Sequence, residues 1–298
     1  MTTLLLVNPT AGRGHAGRVA AEAEHAAREA WGVVDRVDTA GPGEAVGLAT
    51  RAAESGAERI LVLGGDGTLH EAANGLLRAR VDHRPPIAIL PAGTGNDYAK
   101  IAGTVHCSPT EAVHRLRTGA IRRFDVGEAW GEYFINSVGI GFDAEVARVI
   151  NQTKRGSGIL AYIGAVVKVI ASFDSCEVRV RSDGHEFSDR LLLLEIGIGP
   201  SVGGGFKLTP FAKPDDGLLD ICAIQRQSVF GILTKLPLAI LGRHTGLRAV
   251  RSFRTTRLSV ESVNGTLHAQ FDGETREVSG RMEICLKPGL LPVLVANA

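Results

Sequence analysis

No stretch of this chain is long, apolar and uncharged enough to cross a bilayer as a helix. A spanning helix takes about 20 mostly apolar residues. The two best stretches, Ile159–Ala171 and Val229–Leu241, are shorter and are broken by Lys168, and by Lys235 and Pro237. A secretory leader is not visible either, because the apolar run Leu4–Val7 is brief and ends in Asn8-Pro9. Cysteine is scarce: Cys107, Cys176, Cys222 and Cys285 stand apart, with no C-x-x-C pair. That argues against a zinc site or a disulfide framework and for reduced thiols in the cytoplasm. The nine histidines show no metal-ligand spacing. With a formal net charge of +1, bulk charge does not announce a nucleic-acid binder, and none is expected as a partner. Repeats and low-complexity segments are missing. Hydrophobic residues at 44% and charged residues at 22% describe a chain that buries a large core.

What the chain has in quantity is glycine, 37 residues clustered in short runs between apolar segments, as in tight loops near a ligand. Its 298 residues suit two domains. The first part alternates strand and helix patterns. Leu4–Val7, Val33–Val37, Arg59–Leu63 and Ile87–Leu90 read as strands; Ala16–Ala30, Glu44–Glu54, Thr68–Arg78 and Pro109–Arg117 read as helices. Ser108 is the expected N-cap of the last helix, with Pro109 in its first turn. Such alternation implies an α/β domain over residues 1–122: a doubly wound, mostly parallel sheet covered on both faces. Past Arg122 strand-like stretches dominate: Tyr133–Val138, Glu177–Arg181, Leu191–Ile198 and Leu218–Ile224. Asp183-Gly184, Asn264-Gly265 and Asp272-Gly273 are hairpin dipeptides between strands. Residues 123–287 are therefore expected to form a mostly antiparallel β-rich domain carrying two helices, with the tail 288–298 free to return to the first domain.

Gly12-x-Gly14-x-x-Gly17 matches a dinucleotide fingerprint, with Asp35 and Asp38 about 20 residues on. Four residues separate the strand from the first glycine, however, where that fingerprint turns almost at once. Other phosphate-loop signals are stronger. Asn8-Pro9-Thr10-Ala11-Gly12 follows strand one, Gly64-Gly65-Asp66-Gly67-Thr68 follows strand three, and Pro91-Ala92-Gly93-Thr94-Gly95-Asn96-Asp97 follows strand four. In an open parallel sheet this rim takes ligands. Glycines let backbone N–H groups approach an anion, and the helix beginning near Thr68 points its positive end at it. An aspartate beside a bare triphosphate would be repelled, so Asp66 is expected to work through Mg²⁺ or a hydroxyl partner.

The three loops, in this order and spacing, resemble the lipid kinase family that includes diacylglycerol and sphingosine kinases. G-G-D-G-T alone also resembles loops of NAD kinases and, more distantly, phosphofructokinases. The resemblance continues through Asn136–Ala144, Gly203-Gly204-Gly205, Pro210, Asp215-Asp216-Gly217-Leu218-Leu219-Asp220 and Asp272-Gly273-Glu274. It departs at Ile198-Gly199, where many members have Asn-Gly. The resemblance implies an ATP-dependent kinase acting on a lipid hydroxyl, with diacylglycerol first among acceptors and the site in the cleft between two domains. Gly65 to Glu71 and Thr94 would contact ATP, with Thr10 and Thr39 beside them. Asp216, with the carbonyls of Lys213 and Leu218, would hold Mg²⁺. Glu274 would be the base toward the hydroxyl, and Asp272 joins Asp66 and Glu274 in the expected catalytic group.

Blander readings stand beside these. Asp272-Gly273 is also an ordinary hairpin turn, Asp215-Asp216-Gly217 an ordinary turn signal, and Asn96-Asp97 a cap for a short helix. His70 reads as a helix residue facing the loop. Arg243, Arg248, Arg251, Arg254 and Arg257 form a basic stretch with no acid between them, which reads as a solvated face or as a contact to the inner surface of a membrane. Sphingoid-base, ceramide or other lipid kinase activity, an NAD kinase, a non-catalytic nucleotide-binding regulator and homodimerisation stay open.

Overall fold

The computed structural model describes residues 2–153, Val169, Phe173 and 176–297. The chain divides into two compact units, Met1–Phe124 with Gly289–Ala298, and Asp125–Pro288. Among the described residues no helix is long and apolar enough to cross a membrane.

The first unit is built from β1 (Thr3–Val7), α1 (Ala11–Trp31), β2 (Val34–Asp38), α2 (Glu44–Glu54), β3 (Arg59–Gly64), α3 (Asp66–Arg78), β4 (Ile87–Pro91), α4 (Asp97–Ala102), α5 (Pro109–Arg117) and the start of β5 (Ala120–Ala129). β1 pairs in parallel with β2 and β3, and β3 in parallel with β4. Leu5, Val7, Leu61, Leu63 and Leu90 share one core with α1 and α5. Their neighbours Leu4, Leu6, Ile60 and Val62 are as deeply buried, because alternate residues point to the other face, where α2 and α3 pack on the sheet. Covered faces explain why these strands are apolar throughout. α5 opens with a capping box: Ser108 Oγ accepts from Glu111 N, and Glu111 returns a bond to Ser108 N.

The second unit holds the rest of β5, then β6 (Glu132–Phe134), β7 (Ser137–Gly141), α6 (Phe142–Thr153), β8 (Cys176–Ser182), β9 (His185–Gly197), β10 (Leu219–Gln225), α7 (Val229–Leu241), β11 (Val250–Thr255), β12 (Arg257–Phe271) and most of β13 (Glu274–Val295). Its pairings are antiparallel, in the order β11-β10-β9-β7-β12-β13, with β8 between β9 and β12. Aliphatic residues of these strands and Phe134 and Phe271 form one core, with the two rings edge to face. The end of β13 belongs to the first unit, where Val293 pairs in parallel with Ile87 of β4.

Three expectations need correction or placement. Asn264-Gly265 makes no hairpin: β12 runs through it, and the register against β13 slips between Glu261 and Thr266. The positive φ of Gly265, 137°, serves that irregularity instead of a turn. Tyr133–Val138 is not one strand but two, β6 and β7. The helix expected at Ile159–Ala171 lies, apart from Val169, outside the described residues.

Candidate active site

The loops after β1, β3 and β4 lock together at the C-terminal rim of the first unit. Asn8 Nδ2 donates to Thr68 Oγ1 at 2.9 Å, and Asn8 Oδ1 accepts from both N and Oγ1 of Thr10. One side chain thus ties the first loop to the start of α3. Two glycines are required by close approach. A Cβ on Gly93 would lie 2.4 Å from Gly65 Cα, and one on Gly12 would lie 2.1 Å from the Ala92 carbonyl oxygen. Gly12, Arg13 and Gly14 are all left-handed, with φ of 57°, 59° and 80°. This explains why Ala11–Gly14 do not run as a regular first helical turn.

Asp66 occupies the first position of α3, and its carboxylate turns to α4. Oδ2 accepts from Asp97 N at 3.1 Å and Oδ1 from Tyr98 N at 3.0 Å. Asn96 holds the N-cap position of α4 but does not cap it; its side chain closes the preceding loop on Gly93 N and Gly93 O. The cap expected of Asn96-Asp97 is therefore supplied by Asp66. No side chain caps α3 at its N-cap position, which leaves the start of the helix suited to an anion.

The other sequence candidates fall into two groups. Thr39 is buried at the end of β2, donating its N–H to Val7 O beside Asn8. Thr94 is exposed on the third loop; Pro9, Ala11, Gly64 and Gly67 are backbone of the same rim. Glu71 does other work: it accepts from Gly43 N and Ala45 N and so caps α2. Asp97 is buried and paired with Lys100 at 2.5 Å. His70 is buried in α3, its Nε2 3.4 Å from Asn74 Nδ2.

In the second unit Asp272 and Gly273 form the two-residue β12–β13 turn, with φ of 49° and 97°, as a type I′ hairpin demands. Asp272 is buried, and its carboxylate accepts from Ile135, Asn136 and Ser137 N at 2.8–2.9 Å. It thereby binds the D-G-E turn to the Asn136–Ala144 segment; Glu274, two residues on, is half-buried. Sequence reading missed the polar cluster behind this turn. Gln270 donates to Asp143 and accepts from Gly273 N, and a Cβ on Gly139 would lie within 2.9 Å of Asp143, Gln270 and Glu195 side chains. The fully buried Glu195 was signalled by its place in the apolar run Leu191–Ile196, since a carboxylate there has to be held by the fold.

The Asp215-Asp216-Gly217 turn is latched to Asp125: Asp125 N donates to Pro214 O, and Gly217 N donates to Asp125 Oδ2. Asp216 Oδ1 accepts from Leu218 N. Nearby Asp220 has its pKa raised, chiefly by burial and in part by Asp216, against the lowering effect of Arg254. Its Oδ2 is buried without a hydrogen bond. Among the described residues no three His, Cys, Asp or Glu side chains are placed to hold a metal. The expected donors, the Asp216 carboxylate with the Lys213 and Leu218 carbonyls, are all oxygen, the type of donor a hard cation would take.

Under α7 lies an apolar pocket of about 80 Å³, lined by Phe142, Leu192, Phe206, Leu208, Ile232 and Leu236 among others. At its edge Cys222 Sγ sits 3.5 Å from His244 Nε2. Burial pushes the thiol up to about 12 and lowers the imidazole, so at neutral pH the thiol stays protonated and the imidazole neutral.

A two-unit kinase with an α/β part and a β-rich part is the class this architecture defines, and comparison with known proteins gives the family. Residues 2–129 match the diacylglycerol kinase catalytic domain, and residues 136–295 match the YegS C-terminal NAD kinase beta sandwich-like domain. The diacylglycerol kinase of Bacillus subtilis (strain 168) is 30% identical over 275 residues, 91% of this chain and 88% of that one. A protein of Pseudomonas fluorescens named "Probable lipid kinase YegS-like" is 36% identical over 227 residues, 76% of this chain and 74% of its own. A crystal structure from Bacillus anthracis str. Sterne, provisionally described as a diacylglycerol kinase, superposes with a TM-score of 0.82 at 26% identity, covering 99% of this chain and 95% of that one. The chain belongs to the diacylglycerol kinase and YegS-like lipid kinase family, and it is a kinase.

Proposed function

We propose that this kinase moves the γ-phosphoryl group of ATP to the free hydroxyl of diacylglycerol, giving ADP and phosphatidate. The observation that carries the lipid half is the pocket under α7, whose lining is predominantly apolar, as a site for acyl chains would be, and offers little to a polar acceptor. The ATP half rests on the interlocked loops and the uncapped start of α3.

In this reading the backbone of Gly65, Gly67 and Thr68, with Thr10 and Thr94, cradles the phosphates. Asp66 fixes α4 and the Gly93–Asn96 loop, and through its remaining acceptor capacity serves the metal. Mg²⁺ would neutralise charge on the β- and γ-phosphates; a second, structural ion would sit at Asp216, Lys213 O and Leu218 O. The acceptor oxygen attacks the γ-phosphorus as the β–γ bridging oxygen leaves with ADP. Glu274 takes the hydroxyl proton. The transition state is loose, so positioning and charge neutralisation carry most of the acceleration.

Relatives named YegS-like lipid kinases favour keeping a second acceptor class in view, another lipid alcohol. The test is incubation with labelled ATP, Mg²⁺ and a panel of lipids and of NAD. Label in phosphatidate supports the proposal, label in a different lipid reassigns the acceptor, and label in NADP or in nothing overturns it.

A further inference from the structure

Helix α7 has a face that the cavity does not use. At ~100° per residue, Val229, Phe230, Leu233, Pro237 and Leu241 fall within one arc of ~120°, away from the Ile232, Leu236 and Ala239 side. Ile232, Leu236 and Ala239 pack inward, as does Ile240 beside the Val229 edge of the arc. The outer arc is open: Phe230 is 77% exposed, Leu241 59%, Val229 44% and Leu233 40%. Phe211, 62% exposed, adds to the arc's C-terminal end, since its neighbour Pro210 comes within 2.8 Å of where a Cβ of Gly242 would stand.

The stretch of chain that carries this face has charge of one sign. From Ile221 to Val260 there is no Asp or Glu, although the chain as a whole is nearly neutral. The same span carries Arg226, Lys235, Arg243, Arg248, Arg251, Arg254 and Arg257. Arg254 pairs with Asp220, Arg257 with Asp183, and Arg251 lies over the Phe187 ring. Arg243 and Arg248, just past the end of α7, point into solvent, and Lys235 and Arg248 line one shallow depression beside it.

An apolar arc bordered by exposed arginines, with the neighbouring Asp189 carboxylate taken up by Gln225 Nε2, is the pattern of a surface that sinks side chains to the acyl boundary and meets lipid phosphates with its rim. A second copy of this chain would bring the same cations and be repelled. We propose that the outer face of α7, with Arg243 and Arg248, is where this chain docks on an anionic phospholipid bilayer. The inference rests on the lipid-acceptor reading above: the helix that lines the acyl cavity with one face meets the membrane with the other.

The test is flotation of the intact protein, without ATP, with phosphatidylcholine vesicles with and without phosphatidylglycerol. Wild type should bind the anionic vesicles, and binding should weaken as salt rises. Arg243→Gln with Arg248→Gln should lower the partition coefficient about 25-fold, roughly fivefold per arginine. Phe230→Ser should lower it by about tenfold or more. All variants should keep the wild-type melting temperature, which shows they are folded. Equal wild-type binding to both vesicle types, or wild-type partition by the folded variants, overturns the proposal. So does a wild-type dimer that Phe230→Ser splits while vesicle binding persists. Because binding is read without ATP or acceptor, it can succeed even where no lipid is phosphorylated, which separates its failure from that of the acceptor reading.

Discussion

Asp66→Asn separates two duties of one carboxylate. In the structure each oxygen of Asp66 takes one backbone N–H at the head of α4. An asparagine keeps one acceptor and turns an NH₂ toward the other N–H, so one charge-assisted bond becomes a donor facing a donor. Hydrogen bonds to a charged group are worth about 1.5–3 kcal/mol. Melting should therefore fall by roughly 3–12 °C, taking ~2–4 °C per kcal/mol for a domain of this size class. If the carboxylate also serves the metal on the phosphates, turnover at saturating ATP should fall a further ~10²–10³-fold, the usual cost of one well-placed electrostatic group. The assay is calorimetry beside kcat, both measured with Mg²⁺, well below the variant's melting point. A variant that melts lower yet turns over normally leaves Asp66 as a cap only and removes the metal role. One that melts and turns over as wild type refutes both.

Gly93→Ala places a methyl group 2.4 Å from Gly65 Cα; overpacking of ~1–3 kcal/mol should appear as a raised KM for ATP, and an unchanged KM would deny that the two loops are seated together. Glu274→Gln should cut kcat about 10²–10⁴-fold with melting unchanged, whereas Asp272→Ala, which strands three buried N–H groups, should cost stability by several kcal/mol; equal melting losses for the two would contradict their division of labour. His244 has its pKa lowered below 6.5 by burial, so its contribution to stability is full above 6.5. That contribution is lost as pH falls from 6.5 through the folded value, where the unfolded chain takes the proton first. His244→Gln should flatten the fall of melting temperature across that window, and an identical pH slope would exclude the imidazole as its source.

The parts of the fold that sequence made legible are those decided locally. Glu44–Glu54, Pro109–Arg117 and Val229–Leu241 have the helical limits that composition suggested, and Ser108, Pro109 and Glu111 set the start of α5 within four residues. The loops after β1, β3 and β4 were visible as a rim because parallel strands share one direction. Which atoms meet there was not visible. Asp66 reaches Asp97 across 31 residues, and Asp272 reaches Asn136 across 136. The second bond exists only because β12 pairs with β7 next to it, with Phe271 opposite Val138. Asn264-Gly265 misled for the converse reason: a dipeptide that allows positive φ permits a hairpin but does not compel one, and the long partner strand β13 claimed it for a slip in register. The basic run past α7 was read by charge alone, and the exposed arc of α7 needed the inward and outward faces of the helix to be told apart.

The last strand of the first unit bears on how the chain is made. Val293 lies against Ile87, and Ala296 N donates to Ala102 O, yet these residues are translated after the whole of Asp125–Pro288. At ribosomal speed that delay is roughly 10–30 s, during which the β4 edge has no partner to cover it. The α/β unit is thus begun first and finished last, and a nascent chain stalled before residue 289 should display an open sheet edge that holdase chaperones and proteases can find.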